Sequence, residues 1–238
     1  MNMKQFLLLS WILLGAWGSA EAQSPNDQQQ QILVPGLKNT YQAVYLDEHG
    51  DTLSIEKIGV HFTDRPWRQD SGQMEIVCSY QGFTGDSSAF TPALHGGRLS
   101  WESEEVMGFK EYESTIWMYP FRANQYYLTE VAPFPYFVKH AVAGQTWSSK
   151  LSLGKGLGRF EGKARWTYQM VGQKHYQSDQ QTIPHCYEIH SVSRHRLGKS
   201  SLNYLVHPAY GFVRLHYSFF NGHELQVSLL TSSVEALN

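Results

Sequence analysis

The sequence predicts an all-β protein, either an antiparallel sandwich or a strongly curved, incomplete barrel with few helices. Three observations carry that prediction. Apolar residues recur at every second position along many short runs, the period of a half-buried strand. Turn residues separate those runs at short intervals. Aromatic residues make up 14% of the 238-residue chain and charged residues only 17%, a balance that favours a large pleated core over disorder.

The chain opens with an export address. Lys4 precedes the apolar run Phe6, Leu7, Leu8, Leu9, Trp11, Ile12, Leu13 and Leu14, and Ala20-Glu21-Ala22 offers the small residues a signal peptidase requires. The run falls short of the roughly 20 apolar residues that span a bilayer, so residues 1–22 read as a signal peptide. Residues 23–31, ending in four consecutive glutamines, lack apolar periodicity and read as a flexible leader. Residues 32–238 read as a single β domain, exported to the periplasm or exterior and soluble, with no transmembrane segment.

Strands are predicted in order from there. Tyr41–Leu46 and Thr52–Phe62 flank the acidic turn Asp47-Glu48-His49-Gly50-Asp51, where Gly50 can take a positive φ. Further strands are expected at Gln73–Tyr80, Arg98–Glu102, Ser114–Phe121, Gln125–Val131, Thr146–Leu153, Phe160–Val171, Ile183–His195 and Ser201–His207. In the Phe160–Val171 run, Ala164, Trp166, Tyr168 and Met170 oppose Lys163, Arg165, Thr167 and Gln169, so one face is dry. Phe212–Phe220 and Glu224–Leu230 flank Asn221-Gly222, the dipeptide suited to a type I′ hairpin.

The formal net charge of −2 gives no global attraction for nucleic acid or an anionic membrane. Cys78 and Cys186 leave two alternatives open. One is a disulfide worth about 4–5 kcal/mol for so long a loop; the other is a pair of buried thiols. Strand alternation sets Cys78 with Met74, Ile76 and Tyr80, but Cys186 with Glu188 and His190.

Most catalytic signatures are absent from the sequence. There is no Gly-x-Ser-x-Gly and no His-Glu-x-x-His. Gly198-Lys199-Ser200 lacks the upstream glycine of a phosphate loop, and Gly154, Gly156 and Gly158 suit a bulge or bend. The acidic 47–51 turn lacks the remaining ligands of a calcium loop. His185, Cys186, Glu188, His190 and His195 form the densest reactive group, but residues along one strand cannot enclose a metal alone. No cofactor, metal or catalytic residue is therefore assigned. Basic residues gather at Lys150, Lys155, Arg159, Lys163, Arg165 and Lys174, and acidic ones at Glu102, Glu104, Glu105, Glu111 and Glu113, a pattern expected of a solvated surface.

The aromatic stretches Trp117-Met118-Tyr119-Pro120-Phe121, Tyr126-Tyr127 and Val131–Val138 carry the functional expectation. Pro133 and Pro135 donate no backbone hydrogen bond, so the last of these reads as an extended segment over a sheet edge or barrel mouth. It either plugs its own core or lines a ligand pocket. The candidate ligand-binding residues are Trp117, Tyr119, Tyr126, Phe134, Tyr136 and Trp147.

Three features give the chain a resemblance to a group of uncharacterised secreted bacterial proteins: Glu130 with Pro133-Phe134-Pro135, Gly144 with Trp147, and Tyr210-Gly211-Phe212-Val213 opening the final hairpin. More distantly, the layout is similar to the open β-barrels of periplasmic lipoprotein carriers, which wrap acyl chains. The resemblance implies no catalytic residue. The leading expectation is a non-catalytic exported protein that binds a hydrophobic or amphipathic envelope ligand, a lipid or glycan. The alternatives are a carbohydrate-binding or adhesive module, and a cryptic hydrolase built on His190 and a nearby carboxylate.

Overall fold

The computed structural model describes residues 31–87, 90, 101–178 and 181–235. The expected signal peptide and all but Gln31 of the expected leader lie outside these, as do residues 98–100 of the strand expected at Arg98–Glu102.

Twelve strands form one antiparallel sheet, strongly curled into a half-barrel. In chain order they are β1 (Leu37–Leu46), β2 (Thr52–Trp67), β3 (Asp70–Gly85), β4 (Glu104–Glu111), β5 (Thr115–Met118), β6 (Tyr136–Val138), β7 (Thr146–Leu153), β8 (Gly162–Gln177), β9 (Thr182–His195), β10 (Gly198–His207), β11 (Gly211–Ser218) and β12 (Glu224–Val234). The spatial order is β6-β5-β4-β3-β2-β1-β12-β11-β10-β9-β8-β7. Two meanders thus meet at the β1–β12 pair, and the consecutive strands β6 and β7 end up on opposite edges.

That topology forces the curl. Strands lie about 4.8 Å apart, so a flat sheet of this width would separate its edges by about 50 Å. Residues 139–145, which join β6 to β7, can stretch over no more than about 28 Å. The edges must therefore approach, and the rings of Tyr136 and Trp147 stand 6.4 Å apart. No backbone ladder links these two strands, so a seam remains between them.

Alternation decides which face is dry. On β8 Ala164, Trp166, Tyr168 and Met170 are buried, as the sequence predicts, and Tyr176 is buried beyond them. The concave face is filled by the chain itself, through the stretch from Tyr119 to Tyr136. Its middle, Asn124–Val131, is a 3-10 helix, which corrects the strand expected at Gln125–Val131. Asn124 takes a positive φ of 55°, and the segment finds its partners in the sheet's side chains instead of a ladder.

Other boundaries shift for local reasons. Trp101 and Glu102 are not in a strand. Strand β4 forms within the acidic stretch, because Met107 and Phe109 face the core while Glu105 and Glu111 find cationic partners. The short β6 follows the prolines directly. The glycines at 154–158 belong to the β7–β8 connection, a 3-10 turn over Lys155–Phe160, and do not form a bulge within a strand.

The last hairpin forms where predicted but with a different turn. Phe219 N–H donates to His223 O and Gly222 N–H to Phe219 O. Gly222 has φ 88°, whereas Asn221 does not take a positive φ. This is a three-residue loop with its glycine in the left-handed region, not the two-residue type I′ turn. The Asp47–Asp51 turn has the same form, with Gly50 at φ 87°. There Asp47 Oδ1 accepts the N–H of His49 and of Asp51, and those bonds hold its carboxyl below the usual range.

Both cysteines are free and buried. Cys186, Glu188 and His190 keep the expected alternation along β9, with Cys186 opposite Lys174, the partner of Glu188. A bulge with His185 at φ 56° immediately precedes Cys186, which is buried, while the His190 side chain remains 49% exposed.

Candidate functional site

The segment from Tyr119 to Tyr136 is held to the concave face carbonyl by carbonyl. From the sheet, Ser193 Oγ donates to Val131 O at 2.6 Å, Tyr168 Oη to Phe134 O at 3.0 Å and Tyr204 Oη to Tyr136 O, while Thr129 Oγ1 ties the segment to itself at Phe121 O. Met118 N–H reaches Pro135 O at 3.1 Å. Pro133 and Pro135 offer no N–H of their own, so their segment is bound through its acceptors, by donors placed on β5, β8, β9 and β10.

Charge fixes the other end. Glu105 accepts from Arg122 Nε at 2.9 Å, from Ala123 N–H and from Tyr80 Oη. Arg122 lies 4.8 Å over the Tyr119 ring and 3.7 Å from Glu130. Burial raises the Glu130 carboxyl, partly offset by Arg122. On β2, Glu56 is 4% exposed and accepts from Tyr126 Oη at 2.7 Å and from Gln125 Nε2 at 2.9 Å. Burial raises its pKa as well, against both of those hydrogen bonds.

The structure gathers five of the six candidate residues. Phe134 is fully buried, its ring centre 4.5 Å from Trp166, 5.6 Å from Tyr119 and 5.8 Å from Trp117. Trp117 and Tyr119 are 4.7 Å apart. Across the seam, Trp147 lies parallel to Tyr168 at 5.6 Å, with an interplanar angle of 4°. Tyr136 meets both rings edge-on. Tyr126 sits apart, against Tyr80 at 5.8 Å and bonded to Glu56. Trp117, Tyr119, Tyr136 and Trp147 are half-buried, whereas Phe134 and Tyr126 are wholly inside.

Two contributors, Trp166 and Tyr168, are assigned by their pattern to the dry face but not to the candidate set. Only the return of β8 beside the Pro-Phe-Pro segment brings them to it, and no local signal announces that approach.

Other groups assemble no comparable site. His190 Nε2 is 3.6 Å from Glu188, which also pairs with Lys174. The neighbouring hydroxyls of Ser191 and Ser193 face the interior, bound to Leu202 O and Val131 O, so neither serves His190 as a nucleophile. Among the described residues, no group of three or more metal-ligating side chains could hold a metal ion. Also among the described residues, no helix is long and apolar enough to cross a membrane.

Fold and site together define a curled all-β half-barrel with an internal plug and an aromatic seam. Three solved structures are similar in outline. A candidate exported protein of Bacteroides fragilis with a YmcC-like fold has a TM-score of 0.47 at 11% identity, covering 86% of this chain and 97% of its own. A candidate lipoprotein of Parabacteroides distasonis has a TM-score of 0.46 at 11% identity, over 87% and 100%. The hypothetical lipoprotein YmcC of Escherichia coli has a TM-score of 0.37 at 11% identity, over 87% and 92%. No protein-family model matches the chain, and no curated protein matches it.

Proposed function

We propose that this is a non-catalytic exported protein that binds a hydrophobic or amphipathic ligand of the cell envelope at the seam between β6 and β7. The observation that carries this reading is the convergence of the half-buried rings of Trp117, Tyr119, Tyr136 and Trp147 where the sheet's edges approach without a ladder. Half-exposed aromatic rings around a gap suit an apolar chain that enters between them. The Lys4-to-Ala22 pattern supports export, with residues 1–22 removed as a signal peptide, residues 23–31 as leader and 32–238 as the binding domain.

A titration with lysophosphatidylcholine, read by displacement of the fluorescent probe N-phenyl-1-naphthylamine, tests the reading. Saturable binding that weakens about tenfold in Trp147→Ala supports it. Absence of binding, or binding indifferent to Trp147→Ala, contradicts it. The parallel seating of Trp147 on Tyr168 favours one second reading, a platform for a sugar ring. Binding of a soluble glycan in place of the lysolipid would select that alternative.

A further inference from the structure

We infer that the seam selects a ligand carrying a hydrogen-bond acceptor beside its apolar chain, of the kind an ester or amide carbonyl supplies; this rests on the reading of the seam as a binding site. Several donors of the concave face are satisfied within the protein. The hydroxyls of Tyr168, Tyr204, Ser191 and Ser193 each reach a backbone carbonyl. Two indoles at the seam are not satisfied, nor are the buried hydroxyls of Tyr176 and Tyr217. Trp147 Nε1 and Trp166 Nε1 are both shielded from solvent, yet neither meets an acceptor in the protein.

These indoles are neighbours. Trp147 stands opposite Tyr168 in the β7–β8 ladder and Trp166 opposite Ser149. Trp166 and Tyr168 are two residues apart on β8 and so share a face. Trp166 is only 2% exposed and packs on Phe134. An indole N–H donates and cannot accept, and a buried donor without an acceptor costs free energy comparable to a lost hydrogen bond. A pure hydrocarbon leaves both donors unpaired, whereas a carbonyl oxygen pairs at least one.

Methyl decanoate and undecane, similar in length, make the test. The ester should bind about tenfold more tightly, although the hydrocarbon is the more hydrophobic of the two, and Trp147→Phe or Trp166→Phe, whichever removes the donor whose resonance shifts, should bring the ratio close to one. In the unmodified protein labelled with 15N, methyl decanoate should shift the indole N–H resonance of Trp147 or Trp166, a readout that needs no substitution. Undecane binding as tightly as the ester, or unmoved resonances of both indoles in the saturated complex, overturns the inference and leaves the seam reading intact. Failure of both compounds to bind overturns the seam reading too.

Discussion

Replacing Phe134 with alanine separates a segment that fills the core from one that lies loosely over it. The Phe134 ring is fully buried and touches the rings of Trp117, Tyr119 and Trp166 at 4.5–5.8 Å. Its removal deletes transfer free energy and leaves a cavity that the sheet cannot collapse to fill. Phe→Ala at such a site costs about 3–5 kcal/mol. For a domain of this size each kcal/mol lowers Tm by about 2–4 °C, so a fall of about 6–20 °C is expected in calorimetry. The urea midpoint should fall with little change in slope. A loss under about 3 °C would refute the reasoning, because it would mean that Phe134 contributes as a surface residue does. Phe134→Asp should not fold at neutral pH, since it places an unpaired carboxylate among aromatic rings.

Three further outcomes follow from the same geometry. Glu56 has a raised folded pKa, caused first by burial, so the folded state is favoured below the unfolded pKa and loses that advantage as pH rises through the folded value. Glu56→Gln should therefore gain about 1 kcal/mol over the parent at pH 7.5, with the gap closing as pH falls; urea titrations that show a constant or widening gap contradict this. Glu111, 3% exposed at its side chain, accepts the N–H of Ile32 and Leu33 at 2.7 Å each and pairs with Lys139 Nζ at 2.7 Å. Glu111→Gln leaves that lysine partly buried without its counter-charge and should cost about 3 kcal/mol, measured by urea denaturation; an unchanged midpoint would show the clamp to be ornamental. Cys78 is buried and its thiol pKa is raised, by burial and then by Glu105 and Glu104. Neither cysteine should react with Ellman's reagent until the protein unfolds, and rapid titration of a thiol in native protein would contradict the packing.

Much of the sheet is legible from the chain because alternation reports burial directly. The β8 pattern names four of its five buried residues, missing Tyr176, and Gly50 marks the first turn. Legibility fails where long-range partners decide. Gln125–Val131 looks extended, but Glu56 on a distant strand draws in Gln125 and Tyr126, and a 3-10 turn meets that demand. In β4, charged residues hide a strand because Glu105 and Glu111 are neutralised by Arg122 and Lys139. Asn221-Gly222 points to the hairpin, yet the longer turn is set by pairing beyond it. The aromatic residues announce a cluster, but which rings lie inside follows from the order of the strands, with β6 and β7 on opposite edges. That order is not written in any local pattern.

Photolabelling tests the central claim most directly. A fatty acid bearing a diazirine near its terminus, irradiated with the native protein and mapped by mass spectrometry, should mark the peptides that contain Trp117, Tyr136 or Trp147. Labelling confined to the outer face of β1, β2 and β3, or no labelling that an excess of methyl decanoate can suppress, contradicts the account.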